Sequence, residues 1–240
     1  LKHFGHNLGI IISASHNPSE YNGIKLIDEN GSKLQDNIEI KIESYFENIE
    51  VPKAHTSFKD SEDGYKVYYE FLNELFDFDI TNFNIVIDSA YGSAYKIIDH
   101  LLSENNSKFN MIANTPDGEN INFESGATYT NNLCSTLKKG QIGAAFDGDA
   151  DRLIMVDEEG NTCNGDVLIL LIAKYLSATS QLNNNVVVST VMSNYGFKNA
   201  MEKNSFKNVE TSVGDKYVAE AMDENNASLG GEQSGHIIIS

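Results

Sequence analysis

An α/β fold is predicted by three features of the chain: short apolar strand-like runs, intervening stretches with apolar residues at helical spacing, and Gly/Asn turn signals between them. The candidate strands are Gly9–Ser13, Ile24–Ile27, Asn84–Asp88, Phe109–Ala113, Ile142–Phe146, Leu153–Asp157 and Val186–Thr190. Glu29-Asn30-Gly31 and Glu158-Glu159-Gly160-Asn161 read as tight turns between strands. Asp36–Asn48 carries Ile38, Ile42, Tyr45 and Phe46 on one helical face, and Glu62–Phe76 does the same with Tyr65, Tyr68, Tyr69, Leu72 and Phe76. Asp166–Leu176 is apolar on most sides, which predicts a buried helix. Val51–Asp63, with Pro52 among mixed polar residues, reads as a domain junction, and Asn161–Asn164 as a second. Val213-Gly214-Asp215-Lys216 reads as a helix start with Asp215 as its N-cap.

The 240 residues have room for one large domain or two to three small ones, and 40% hydrophobic with 22% charged residues is ordinary for a globular chain. A net charge of -18 argues against nucleic acid as a partner, because phosphate backbones are held by Lys and Arg. No apolar run reaches the roughly 18 residues of a membrane helix, so no membrane partner is expected. No basic leader precedes an apolar stretch, and Cys134 and Cys163 lack both a disulfide pattern and metal-ligand spacing. These features lead us to expect a cytoplasmic protein. Of the 17 basic residues only Arg152 is an arginine, and it directly follows the densest carboxylate cluster.

Three loops carry chemistry. Ser13-Ala14-Ser15-His16-Asn17-Pro18 follows the first strand, where ligands meet open α/β sheets. Small Ala14 and Pro18 suit a tight turn presenting the Ser15 hydroxyl beside His16; the plainer reading is a polar turn closing a strand. In Ala145-Phe146-Asp147-Gly148-Asp149-Ala150-Asp151-Arg152, three carboxylates alternate with Gly and Ala, and such crowding is relieved by a hard divalent cation. The pattern lacks the spacing and distal Glu of an EF-hand. Mg²⁺ takes few protein carboxylates and fills its octahedron with water or phosphate oxygens, so this loop points to phosphoryl transfer; a solvated acidic turn is the alternative. Gly230-Gly231-Glu232-Gln233-Ser234-Gly235-His236 combines close-approach glycines with groups that hydrogen-bond sugar hydroxyls and phosphate; alone it is a weak signal, and the plainer reading is an ordinary loop.

From the residues alone, two enzymatic readings stay open. One is a serine-phosphate carrier assisted by Mg²⁺. The other is a phosphatase of the haloacid-dehalogenase type, with Asp147 as nucleophile after the strand Ile142–Phe146; it leaves Ser15 and His236 without a task. A non-catalytic binding module is the third.

Taken together, Ser13–Pro18 with Tyr21-Asn22-Gly23-Ile24-Lys25, then Asp147–Arg152, then Gly231–His236 resemble three signature loops of the α-D-phosphohexomutase superfamily, in the right order. Pro116–Asn122, Gly126-Ala127-Thr128 and Thr190–Asn194 resemble its phosphoglucosamine branch. The resemblance implies consecutive three-layer α/β/α domains with mixed sheets, divided as 1–62, 63–161 and 162–240. It implies that Ser15 carries a phosphoryl group whose oxygen joins Asp147, Asp149 and Asp151 around Mg²⁺, with Arg152 steadying the phosphoserine. Lys25 and His236 become acid/base or charge-stabilising groups, His16 shapes the serine loop, and Glu232, Ser234 and His236 hold the sugar. The implied partner is a phosphosugar, glucosamine phosphate, moved between its 6- and 1-phosphates through a bisphosphate. The family's mannose- and glucose-phosphate branch is the alternative. The resemblance covers the end of a first domain, a second and much of a third, so residues 1–240 alone are expected to turn over poorly.

Overall fold

The computed structural model describes residues 1–46, 63–76 and 79–240. They fall into two compact units, Leu1–Ser13 with Gly23–Phe78, and Ala14–Asn22 with Asp79–Ser240. The first unit contains β1 (Leu8–Ser13) and β2 (Gly23–Asp28), paired antiparallel from Leu8↔Asp28 to Ser13↔Gly23. Past β2 the chain turns as expected, with Gly31 at positive φ and its N–H donating to the Asp28 carbonyl. Helices α1 (Asp36–Phe46) and α2 (Asp63–Leu75) form at the predicted periodic stretches, yet neither buries a side chain fully. Two strands offer too little apolar surface to enclose a core, and Ile10, Ile12 and Ile24 stay exposed. Glu47, Asn48 and the predicted junction 51–63, except Asp63, lie outside the described residues.

The second unit holds two sheets. The first has the order β4-β3-β5-β6-β7, formed by β3 (Asn84–Asp88), β4 (Lys108–Ile112), β5 (Ile142–Phe146), β6 (Leu153–Val156) and β7 (Thr162–Cys163). β3 is parallel to β4 and β5, whereas β6 and β7 run antiparallel, so the sheet is mixed. The predicted turn at Glu158–Asn161 joins β6 to β7, with the Asp157 carboxylate accepting from the Glu159 and Asn161 N–H groups. The helices α3 (Ala94–Glu104) and α4 (Asn131–Thr136) accompany this sheet; Leu133 of α4 packs with Val86, Ala145 and Val156.

The second sheet, β11-β10-β8-β9, comprises β8 (Val186–Thr190), β9 (Lys207–Thr211), β10 (Leu229–Gly231) and β11 (Ile237–Ile239). All of β8 is buried, and its side chains alternate between two cores. Val187 packs with Ile169, Met201 and Leu229, while Val186 and Val188 pack with Val218 and Met222. A strand covered on both faces needs helices above and below, and α5 (Gly165–Ala178), α6 (Tyr195–Lys203) and α7 (Asp215–Asn225) supply them. This is the expected α/β/α layering.

Two expectations need correction. α5 is not buried all round: Val167, Leu171 and Tyr175, four residues apart, form an exposed stripe, while Leu168, Ile169, Ala173 and Leu176 face the sheet. The N-cap of α7 is Gly214 rather than Asp215, which is the first helical residue. Strands β7 and β9–β11, and helices α3, α4 and α6, were not predicted as elements, and of α7 only the start was. The strands among them are short or polar and form through pairing with their neighbours. Among the described residues, no helix is long and apolar enough to cross a membrane.

Candidate active site

The carboxylate loop leaves the end of β5, and Asp147 is completely buried. One carboxylate oxygen each from Asp147, Asp149 and Asp151 lie within 4.8 Å of one another. Burial, then the charges of Asp151 and Asp149, push the Asp147 carboxyl up to about 6, against a backbone hydrogen bond from Arg152. That bond runs from the Arg152 N–H to Asp147 Oδ1 at 3.1 Å. The other oxygen, Oδ2, is buried without a hydrogen-bond partner, with Arg152 Nε 3.9 Å away. An orphaned carboxylate oxygen beside two further carboxylates, with only oxygen donors, fits a hard divalent cation. The burial of Asp147 and the occupation of its Oδ1 also disfavour it as a nucleophile, as the phosphatase reading requires.

Ser15 stands against this loop. A Cβ on Gly148 would come within 2.5 Å of the Ser15 carbonyl oxygen and 2.6 Å of Ile121 Cδ1, so only glycine lets the two loops pack. Gly148→Ala is expected to separate them, costing about 1–3 kcal/mol by overpacking. Thermal melting of the variant should then fall by roughly 5 °C; an unchanged melting point would mean the loops are not in this contact. The Asn17 N–H closes the serine turn on the Ala14 carbonyl at 2.9 Å. His16 Nδ1 is 3.4 Å from the Ser15 hydroxyl oxygen. Ser15 has φ 53°, and Ala150, Ala90, Tyr91 and Asn122 on the adjoining loops share this uncommon left-handed region.

The glycine-rich loop between β10 and β11 joins the same site. The Leu153 N–H donates to the Gly235 carbonyl at 3.0 Å, holding this loop beside β6. His236 Nδ1 lies 3.7 Å from Asp151 Oδ1, and its Nε2 lies 4.0 Å from Asp215 Oδ2. The neighbouring Asp151 carboxylate is the largest influence raising the His236 pKa, opposed by burial. Glu232 is buried and accepts the Gly214 N–H through Oε1 at 2.9 Å. Arg152, Thr190, Met192, Glu232, Gln233 and Ser234 line a cavity of about 280 Å³. Thr190 Oγ1 and Ser234 Oγ are buried there without partners.

Of the residues singled out in the sequence, Ser15, His16, Asp147, Asp149, Asp151, Arg152, Glu232, Ser234 and His236 lie in the same compact unit. Lys25 belongs to the other unit, on β2 opposite Ile11. Three supporting residues escaped sequence reasoning. Asp166, buried in the first turn of α5, accepts from Ser193 Oγ, from the Asn194 N–H and Nδ2, and from Gln233 Nε2 at 3.3 Å. It ties the loop after β8 to the loop between β10 and β11, and a Cβ on neighbouring Gly165 would collide with the Glu232 carbonyl oxygen. Asp88, at the end of β3, accepts the Ala90 and Gly126 N–H groups, and burial raises its pKa. Asn122 holds the serine loop. A carboxylate ending an apolar strand was the available signal for Asp88; Asp166 and Asn122 had none of that kind.

The comparisons with known proteins agree along the chain. The phosphoglucomutase/phosphomannomutase family matches as its α/β/α domain I at residues 1–53, domain II at 66–160 and domain III at 164–240. A phosphoglucosamine mutase of Clostridium kluyveri is 44% identical over 240 residues, covering 96% of this chain and 54% of that protein. One from Bacillus velezensis is 42% identical over 239 residues, covering 96% and 53%. The chain thus spans about half the length of the curated relatives it matches. A phosphoglucomutase/phosphomannomutase family protein from Burkholderia thailandensis has the same fold, with TM-score 0.77, 23% identity, and coverage of 97% of this chain and 51% of that one. The Aspergillus fumigatus N-acetylphosphoglucosamine mutase in complex with GlcNAc-6P and magnesium gives TM-score 0.71 at 20% identity, covering 98% and 61%. With three successive domain matches in order along almost the whole sequence, the chain belongs to the phosphoglucomutase/phosphomannomutase family.

Proposed function

We propose that the complete protein is a phosphoglucosamine mutase, interconverting glucosamine 6-phosphate and glucosamine 1-phosphate through a phosphoserine and a bisphosphate. The packing of the Ser15 loop directly on Gly148 of the carboxylate loop carries this reading. We assign domain limits at 1–62, 63–161 and 162–240, and a cytoplasmic site of action.

Asp147, Asp149 and Asp151 would hold Mg²⁺ together with an oxygen of the Ser15 phosphate, and the bound ion would neutralise charge on the transferring group. Phosphorylated Ser15 gives its phosphoryl group to a free sugar hydroxyl: the P–Oγ bond breaks, the P–O(sugar) bond forms, the hydroxyl proton passes to a nearby base, and the departing Ser15 Oγ takes up a proton. The bisphosphate reorients, Ser15 Oγ gives up its proton as it recovers the other phosphoryl group, and the sugar oxygen released from phosphorus takes one up. Lys25 and His236 are our candidates for moving that proton or balancing its charge. His236, held toward its protonated form by Asp151, suits the acid role. Arg152 steadies the phosphoserine with its planar fork, His16 shapes the serine turn, and Glu232, Ser234 and His236 bind the sugar. Storage on serine turns one awkward intramolecular shift into two in-line transfers.

The test is to map phosphate on the complete protein as isolated, by intact mass and peptide analysis, and to compare glucosamine, mannose and glucose 6-phosphates as substrates. Phosphate on Ser15 with preferred glucosamine turnover is the expected result. Faster turnover of mannose or glucose phosphates would move the protein to the other branch of the family, and phosphate found on Asp147 would overturn the serine mechanism.

A further inference from the structure

We propose that Asn122 is a positioning residue of the transfer site, its side-chain amide setting where the carrier serine stands relative to the carboxylate loop. The inference rests on the carrier-serine reading above. Asn122 Nδ2 donates to the Ser15 carbonyl at 2.7 Å and to the Asn17 carbonyl at 2.8 Å. Carbonyl oxygens only accept, so the amide orientation follows from its partners. One NH₂ group thereby spans both ends of the turn presenting Ser15, more than 100 residues away in sequence.

The anchor under this amide is itself tied to the carboxylate loop. Ile121 occupies the space a side chain on Gly148 would need. The Asn122 N–H donates to the Ala90 carbonyl at 2.8 Å, and Ala90 N–H is held by buried Asp88. Residues 121 and 122 therefore touch the serine turn and the Asp147–Asp151 loop together. Asn122 adopts φ 59°, a conformation that glycine supplies as readily. A backbone need alone would be met by glycine; the two carbonyl contacts require the amide. In-line phosphoryl transfer is sensitive to misplacement, and a displacement near 1 Å costs on the order of 100-fold in rate. Asn122 touches the serine backbone and acts through it.

The experiment compares Asn122→Gly, which keeps the backbone conformation and removes the amide, with Asn122→Asp, which keeps the shape and turns an oxygen toward two carbonyls. In the complete protein, both are expected to lower kcat by about 10- to 100-fold with KM for the sugar phosphate within about 3-fold. Hydrogen exchange at the amides of residues 14–17 should speed up in both. Wild-type protein in the same assays must carry phosphate on Ser15; its absence would defeat the carrier reading itself. Phosphorylated wild type with undiminished kcat in both variants would overturn the role of Asn122 alone. Parallel losses in kcat, KM and melting temperature, with unaltered exchange at residues 14–17, would also overturn it and leave Asn122 an ordinary structural residue.

Discussion

Ser15→Ala in the complete protein is expected to lower mutase turnover by at least about 10⁴-fold, the scale on which loss of a covalent carrier is felt. The turn from Ala14 to Asn17 is fixed by its own hydrogen bond, by Asn122 and by the close approach of Gly148. Removing one oxygen atom from Ser15 disturbs none of these backbone contacts, so the melting temperature should stay within about 2 °C of wild type. Intact mass should show the phosphate gone. A variant that keeps both phosphate and activity would remove Ser15 from the mechanism. One that loses activity only by unfolding would leave the carrier role without support, and calorimetry separates these results.

Asp147→Asn is expected to divide metal binding from stability in opposite directions. Asparagine keeps the size of the side chain and can accept the Arg152 N–H through Oδ1, but it removes one negative charge from a completely buried position. Divalent-cation affinity should fall by at least about 100-fold, because a charged oxygen ligand is replaced by a neutral amide. The metal-free protein should become more stable by roughly 1–2 kcal/mol, since desolvation and repulsion from Asp151 and Asp149 disappear; this is set below the full equivalent of the shift to allow for solvent screening.

The sign of the pH dependence follows from the same carboxylate. Its pKa is about 6 folded and near the ordinary 3.8 unfolded, so the folded chain holds a proton that the unfolded chain has released between these values. Stability of the metal-free protein should therefore fall as pH rises from 4 to 6, then level off with respect to this group. His236, whose pKa is raised, contributes stability below 6.5 that is lost as pH rises through its folded value, extending the decline. Asp147→Asn should abolish the lower part of the slope and leave the upper part. Melting curves against pH in chelator, repeated with added Mg²⁺, measure both; a slope unchanged by the substitution would show that Asp147 is not the titrating group.

Much of the site was legible because its residues are contiguous. Asp147, Asp149 and Asp151 alternate with small residues, and that spacing alone implies three convergent carboxylates. The Ser13–Pro18 and Gly230–His236 motifs likewise carry their chemistry in short segments. The β-rich apolar runs of β3, β5 and β8 declared the α/β class through local hydrophobicity. β9 could not be read this way, because Lys207, Asn208 and Glu210 are polar and the strand exists through its pairing with β8. β10 is Leu-Gly-Gly, a poor strand by propensity, held between β8 and β11.

By itself, the sequence determined the fold class and the family, and it singled out the serine, carboxylate and glycine-rich loops. These depend on residue type and local spacing. Tertiary structure alone decided that the Ser15 turn rests on Gly148, that His236 faces Asp151, and that Asp166 and Asn122 clamp loops far apart in the chain. Those contacts join segments separated by 27 to more than 100 residues, and no local pattern encodes them. The same is true of the Asp147 pKa, raised chiefly by burial, which is a property of the packed protein rather than of any stretch of its sequence.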